Sequence, residues 1–351
     1  MNLATPGFWL RRLLRPLLDP YRRYRHARLI HAARVAVSLL VSILLTSGLH
    51  LPHGEWASVT LLIVIGGLQH HGNIGKKSIE RAYGTLIGAA LGLLVVAQQN
   101  YLGLPLLTYL LMSLTCGFFA YHAIGKGGYT ALLSAITLFI VAGHGANPLS
   151  DGLWRTVDIL IGIALALAFS FALPLYAVYS WRYNLADGLR GCAQVYKRII
   201  RGESVSADEH LKLMAKLNAI MLQLRSLLPS VSKEVRLSLT ELEAIQGHFR
   251  LCLSTLELLG NLRPSGNDAP AMASLQQSLG AEHRHVSRQL LGMARALKGG
   301  ATQRLGRSVS LETPSLVDGP LAGYQLLTLE LLKNVDALQQ KLAASATRWK
   351  I

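Results

Sequence analysis

Charged side chains are scarce in this sequence, and acidic ones are scarcer still. Asp, Glu, Lys and Arg together make up 15% of the 351 residues, whereas soluble domains usually carry about 25%. The deficit lies at one end: residues 1–177 hold 5 acidic and 13 basic residues, and residues 178–351 hold 14 and 22. The composition therefore excludes one uniformly soluble domain, and only the second half resembles an ordinary soluble domain.

Paired cysteines, metal-ligand spacings and catalytic motifs are also missing. The three cysteines show no pairing or metal spacing, and no two histidines lie at i and i+4 on a helix. The segment 72–78 only partly matches a phosphate-binding loop, because its spacing is too short and no strand precedes it. We therefore expect no enzyme activity, no metal, no cofactor and no direct use of ATP.

Long apolar segments dominate the first half instead. Six of them are long enough, or nearly so, to cross a bilayer, which needs about 20 residues. Lys and Arg occur in the connecting loops 70–81 and 121–128, whereas the alternate loops carry none. By the positive-inside rule, this alternation places both termini in the cytoplasm. The six segments are 30–49, 56–70, 82–98, 102–121, 128–143 and 153–176.

The predicted fold is all-α and has three parts. A basic cytoplasmic segment (1–28) precedes a six-helix transmembrane domain (29–177), and a cytoplasmic α-helical domain follows (178–351). The net charge of +16 could indicate nucleic-acid binding, but seven arginines precede the first span, where the positive-inside rule places them. We therefore expect a bacterial inner-membrane protein with the lipid bilayer as partner and no nucleic acid. Apolar spacing predicts the later helices at 182–202, 206–228, 231–261, 270–298 and 320–347.

Two stretches of the first half resemble each other. Residues 81–94 align with residues 155–168 at an offset of 74, and 7 of the 14 aligned positions are identical. The matches include the arginine that begins each stretch and a glycine seven positions later. Because three spans per copy is an odd number, the second copy would run through the membrane in the opposite direction. We therefore predict two inverted three-helix repeats, as in many transporter folds.

Four ionisable residues lie in or at the ends of the predicted spans. Arg34 either lines a polar path for anions or extends to the inner headgroups. Arg81 suits an interfacial anchor on the cytoplasmic side, whereas Arg155 on the outer side favours a role in substrate passage or gating. Asp158 either carries a coupling proton or neutralises Arg155 or Arg34, and the pair is the favoured interpretation.

Glycines recur at every fourth position of the third span. Gly84, Gly88 and Gly92 share one helix face, Thr85 follows the first of them, and Gly162 is the repeat counterpart of Gly88. Small residues at this spacing allow another helix to approach closely. Helix packing is therefore the favoured interpretation, with a hinge as the alternative.

Two motifs of the chain resemble those of the fusaric acid resistance family. One is Trp56-Ala-Ser-Val-Thr60 at the start of the second span, and the other is Arg81-x-x-Gly84-Thr85-x-x-Gly88 after a basic loop. The family includes exporters of aromatic carboxylic acids. It is similar to the aluminium-activated malate channels of plants, in which a six-span block also precedes a cytoplasmic helical domain. Larger members carry two such blocks, which implies that two copies of this chain assemble as a homodimer.

The resemblance and the charge pattern together predict an exporter of organic anions. Arg34, Arg81 and Arg155 would present a positive potential to a carboxylate. Trp56 and Thr60 would lie on the same pathway, although Trp56 also suits the aromatic belt of the interface. Aromatic carboxylates are the favoured cargo, and an ion gradient is the favoured energy source.

Two alternatives remain open from the sequence. One is a passive organic-anion channel on the same scaffold. The other is a membrane-anchored scaffold protein, in which the leucine-rich helix 320–342 would bind a partner protein.

Overall fold

The chain folds into helices that form two compact units. The structure is a computed structural model that describes residues 19–65, 71–125, 127–143, 148–172, 174–202, 207–262, 269–300, 305 and 321–349, and no strand occurs among them. Residues 25–175 form the first unit, called here the apolar unit. The second unit, called the bundle unit, contains the described residues from 176 onward together with residues 19–24, most of helix α1 (Pro20–Arg25).

The described part of the apolar unit contains six helices, of which four are long and apolar enough to cross a membrane. The other two, α3 and α6, have only 11 and 15 residues. At a rise of 1.5 Å per residue, these two fall short of the roughly 30 Å of a hydrocarbon core. The six helices are α2 (Ala27–Gly48), α3 (Glu55–Ile65), α4 (His71–Leu102), α5 (Pro105–Ile124), α6 (Gly128–Ala142) and α7 (Leu149–Ala172).

One feature of the apolar unit matches the prediction closely and another differs from it. The predicted fifth span, 128–143, coincides with α6, which stops because Gly143 takes the left-handed conformation, with φ of 46°. The predicted loop at 70–81 was wrong, since α4 already begins at His71. That stretch contains no proline, and its lysines, glutamate, arginine and isoleucines are compatible with a helix.

Helix α2 has its polar side chains inside and its apolar side chains outside. Arg34, Ser38, Ser42 and Thr46 follow one another at every fourth position, and all four are buried. On the opposite side, Leu44 is 63% exposed. Lipid rather than water therefore suits the outer surface of this helix, because polar groups in a membrane face the protein interior.

Helix α4 packs closely on α6 along its glycine face. A Cβ atom added to Gly84 would lie 2.7 Å from the backbone oxygen of Thr130, and one added to Gly88 would lie 2.8 Å from Cβ of Thr137. Gly92 meets the same helix one turn further on. Side chains larger than hydrogen therefore do not fit at these positions without moving α6.

The bundle unit is a set of amphipathic helices around one hydrophobic core. Helix α8 packs against α9 and α12, and α10 packs against α13. Glu234 of α9 accepts hydrogen bonds from the backbone N–H groups of Ala177 and Val178, at 3.0 and 2.9 Å. A carboxylate at this position stabilises the first turn of α8. The helices are α8 (Ala177–Ile200), α9 (Ala207–Val235), α10 (Leu239–Asn261), α11 (Ala269–Ser278), α12 (Gly280–Gly299) and α13 (Ala322–Ser345).

One expectation for this half is corrected. The predicted break near residue 230 was wrong, because α9 continues through Pro229 and ends at Val235, next to Arg236 with φ of 52°.

The leucine-rich helix that the scaffold alternative assigns to a partner protein is α13. Its Leu331, Val335 and Leu338 are fully buried in the core of the bundle, whereas Leu326 is 55% exposed.

Replacing Gly88 with leucine should prevent correct packing of α4 on α6, because the new side chain would meet the α6 backbone. We expect a large loss of folded, monodisperse protein in detergent, measured by fluorescence-detected size exclusion. Gly117→Leu is the matched control, since Gly117 has no atom within 4 Å of an added Cβ. Equal yields of the two variants would contradict the close contact.

Stability should fall in mild acid because His283 is buried beside Tyr196. The Tyr196 hydroxyl lies 2.7 Å from Nδ1 of His283, and burial lowers the pKa of His283 from 6.5 to about 4. The neutral ring therefore stabilises the fold above pH 6.5, and this contribution is lost as pH falls from 6.5 to about 4. Thermal unfolding followed by tryptophan fluorescence should show this decline, and His283→Gln should reduce it; an unchanged decline would exclude His283 as its source.

Candidate functional site

A small cavity of about 20 Å³ lies among α3, α4, α6 and α7 of the apolar unit. A space of this size holds about one water molecule, so a larger ligand would require these helices to move apart. Its wall combines one guanidinium, three threonine hydroxyls and a set of aliphatic side chains. The lining residues are Thr60, Ile63, Val64, Arg81, Thr85, Leu133, Ile136, Thr137, Ile140, Ile159 and Ile163.

Arg81 supplies the cation of this cavity. Its side chain is 5% exposed, and its guanidinium lies over the ring of Tyr129, with 4.8 Å between Cζ and the ring centroid. Nη2 donates a hydrogen bond to the backbone oxygen of Ile63. Nε and Nη1 are buried and have no hydrogen-bond partner among the described residues. Because unpaired buried charge is costly, this guanidinium is suited to receive an anion.

Arg155, on α7, contacts a backbone carbonyl of the short helix α6, as Arg81 contacts one of α3. Its Nη1 donates a 2.9 Å hydrogen bond to the backbone oxygen of Ile140, and its Cζ lies 6.0 Å from the centroid of the Trp56 ring. Arg155 and Trp56 do not line the cavity. The structure therefore brings Arg81, Thr60 and Thr85 together and places Arg155 elsewhere.

The carbonyls that these two arginines contact belong to the short helices α3 and α6. Ile140 lies in the last turn of α6, which stops at Gly143, and Ile63 lies in the described part of α3. The last four carbonyls of a helix have no partner within the helix, and they carry the negative end of its dipole. In lipid these groups must be satisfied by protein, and Arg155 does so for Ile140.

The close glycine contacts also occur as a matching pair, one on each long helix. An added Cβ on Gly88 would lie 2.8 Å from Cβ of Thr137, and an added Cβ on Gly162 would lie 2.9 Å from Cβ of Thr60. Gly88 and Gly162 are 74 residues apart, as are the two arginines, whereas Thr60 and Thr137 are 77 residues apart, as are the two isoleucines. The same two offsets therefore relate the glycine contacts to each other and the arginine contacts to each other.

Asp158 is fully buried on α7, one turn before Gly162. Neither of its carboxylate oxygens has a hydrogen-bond partner in the described part of the chain. The ion pair favoured from the sequence had either Arg155 or Arg34 as its partner, and the Arg155 guanidinium extends to the carbonyl of Ile140 instead.

His53 forms an ionisable group at the start of α3 that the sequence analysis missed. Its Nδ1 lies 3.8 Å from Glu55 Oε1, and its Nε2 lies 3.6 Å from Asp151 Oδ2. The φ of 62° at His53 turns the chain here, and no periodic pattern predicts such a turn. No three His, Cys, Asp or Glu side chains of the described residues are grouped so as to hold a metal ion.

Arg34 lies on α2, outside the set that lines the cavity. It is 3% exposed, and its Nη2 lies 2.9 Å from Nδ1 of His31. The sequence analysis also missed Thr137 and Tyr129. Thr137 could have been found by extending the internal alignment to α3 and α6, because it is the counterpart of Thr60.

Apolar outer surfaces, buried polar stripes and a cation in a central cavity define a polytopic α-helical membrane protein. The model of the fusaric acid resistance protein family matches residues 28–349 of the chain. The chain therefore belongs to this family, and the prediction made from the Trp56–Thr60 and Arg81–Gly88 motifs is confirmed. A relative is the inner membrane protein YeeA of Escherichia coli (strain K12), 28% identical over 340 residues that cover 92% of this chain and 96% of that protein.

Proposed function

We propose that this membrane protein exports organic anions, with aromatic carboxylates as the favoured cargo. The observation that supports this most directly is the cavity at Arg81, where two guanidinium nitrogens are buried without partners in the described structure. A carboxylate would accept hydrogen bonds from these nitrogens and from Thr60, Thr85 or Thr137. When the helices move apart and the cavity widens, its aliphatic side chains would enclose the ring or alkyl part of the anion, as apolar walls do in small-molecule sites.

The proposed scaffold consists of two inverted three-helix repeats, α2–α4 and α5–α7. The matching contacts of Arg81 with Arg155 and of Gly88 with Gly162 support this relation. The short helices α3 and α6 would then be the discontinuous elements that transporters place beside their substrate. The alternation of basic loops supports six crossings of a bacterial inner membrane, with both termini and the bundle unit in the cytoplasm.

Arg155 and Asp158 have separate roles in this proposal. Arg155, stacked near Trp56, would attract the anion at the outer end of the pathway. Asp158, with no partner among the described residues, would bind the proton that couples export to a gradient. Arg34 would keep the potential positive on the α2 side.

The proposal is tested by transport of labelled aromatic and aliphatic carboxylates in proteoliposomes, with and without an imposed proton gradient. Arg81→Gln should weaken carboxylate binding roughly 10- to 100-fold, as expected for loss of a charge-assisted hydrogen bond, and should reduce flux accordingly. Arg155→Gln should lower flux with binding largely retained. Arg28→Gln is the matched control, because Arg28 is exposed on α2.

The outcomes separate the competing functions. Flux that requires the gradient and is lost in Asp158→Asn supports a proton-coupled exporter. Flux that does not depend on the gradient, in the unmodified protein and in Asp158→Asn, identifies a passive anion channel. The absence of flux for every carboxylate would overturn transport of this class and favour the membrane-anchored scaffold.

We also propose that two copies assemble as a homodimer, as the resemblance to larger, two-block members implies. Single-molecule photobleaching of labelled protein in nanodiscs should give two steps. A monomer that transports at the full rate would contradict this assembly.

A further inference from the structure

A second and larger cavity lies entirely within the bundle unit. Its volume is about 530 Å³, and it is bounded by α1, by the first turns of α8 and by the end of α12. Helix α12 ends at two glycines, and Gly300 takes the left-handed conformation with φ of 69°. Without side chains there, this edge of the cavity stays open.

Two cations line this cavity. Arg182 donates from Nη2 to the backbone oxygen of Leu297, at 3.0 Å, and its Nε is buried without a partner among the described residues. Leu297 lies two residues before the end of α12, so this guanidinium is fixed by a carbonyl of the last helical turn. The second cation is Lys298, whose Nζ lies 4.7 Å from the centroid of the Tyr21 ring.

The acidic residue Asp19 in the cavity wall already has partners. It accepts a hydrogen bond from the backbone N–H of Tyr21 at 3.2 Å, and its Oδ2 lies 3.7 Å from Nε of Arg22. The charge that remains for a ligand is therefore positive. An organic anion matches this potential, whereas a cation does not.

Aromatic rings form the rest of the wall. Tyr21 and Tyr183 meet edge to face, with 5.2 Å between their centroids, and Tyr179 lies on the same wall. Trp349 is 1% exposed, yet its Nε1–H has no hydrogen-bond partner in the described part of the chain. A buried indole N–H normally has an acceptor. Rings for stacking and a donor without an acceptor suit an aromatic ligand that carries an oxyanion.

We propose that this cavity is an effector site that binds an aromatic carboxylate, the cargo class of the proposed transporter, on the bundle unit. The carboxylate would contact Arg182 and Lys298, its ring would lie against the tyrosines, and a second oxygen would accept from Trp349. The choice of ligand class rests on the proposed function, whereas the cavity, its charge and its rings do not.

Binding is tested on the full-length protein in nanodiscs, with 4-hydroxybenzoate as the probe and saturation-transfer NMR as the readout. Arg81→Gln is introduced first, so that the cavity of the apolar unit no longer contributes. In this protein we expect saturable binding that persists, with Kd raised at least tenfold by Arg182→Gln and several-fold by Lys298→Gln or Trp349→Phe. Lys341→Gln, at an exposed lysine of α13, is the matched control and should bind as before.

The same experiment can overturn the proposal. Absence of binding in the Arg81→Gln protein, or equal binding in the Lys298→Gln, Trp349→Phe and Lys341→Gln proteins, would remove this site even if Arg182→Gln fails to fold. Equally strong binding of inorganic phosphate or glycerol phosphate would replace the aromatic acid with a phosphate or a lipid headgroup. If carboxylates are transported but do not bind the bundle unit, the proposed function stands and the effector site is overturned. If they bind the bundle unit but are not transported, the effector site stands and the proposed function is overturned.

Discussion

The apolar unit depends on direct contact between helix backbones at glycine. Apolar side chains gain little free energy when they move from lipid into a protein interior, so helices in a membrane are held together by close packing and by hydrogen bonds. The glycine face of α4 allows it to lie against α6, and Gly162 allows α7 to lie against α3. Arg81 and Arg155 contact the other short helix in each case, because Arg81 on α4 reaches α3 and Arg155 on α7 reaches α6. Each long helix therefore contacts one short helix through glycine and the other through arginine.

Helix ends explain how the protein keeps arginines buried without carboxylate partners. A carbonyl in the last turn of a helix is polar enough to fix a guanidinium, yet it does not cancel the full positive charge. Arg155 uses such a carbonyl in the apolar unit, Arg182 uses one in the bundle unit, and Arg81 contacts the carbonyl of Ile63 on α3. Arg81 and Arg182 line cavities, so a carbonyl contact holds a guanidinium in place in each unit. Each site retains capacity for an anion.

The two cavities differ in the partners that they offer to the rest of a ligand. Aliphatic side chains and threonines surround Arg81, whereas tyrosines and a tryptophan surround Arg182. The smaller cavity is thus lined by aliphatic side chains and hydroxyl groups, whereas the larger one offers rings for stacking and an indole donor. These walls suit the proposed transport site and the proposed effector site, respectively.

The sequence by itself determined the helical class, the membrane character of the first half, the family and the offset of 74 residues. These follow from composition, from apolar spacing and from short motifs, all of which are local properties of the chain. It did not determine which arginine lines a cavity, because periodicity defines the apolar face of a helix but not the neighbour that covers it. Only the tertiary structure placed Arg81 with Thr137, and directed Arg155 to the Ile140 carbonyl and away from Asp158. Both outcomes arise from packing between helices distant in sequence, which brings unpaired carbonyls and side chains together.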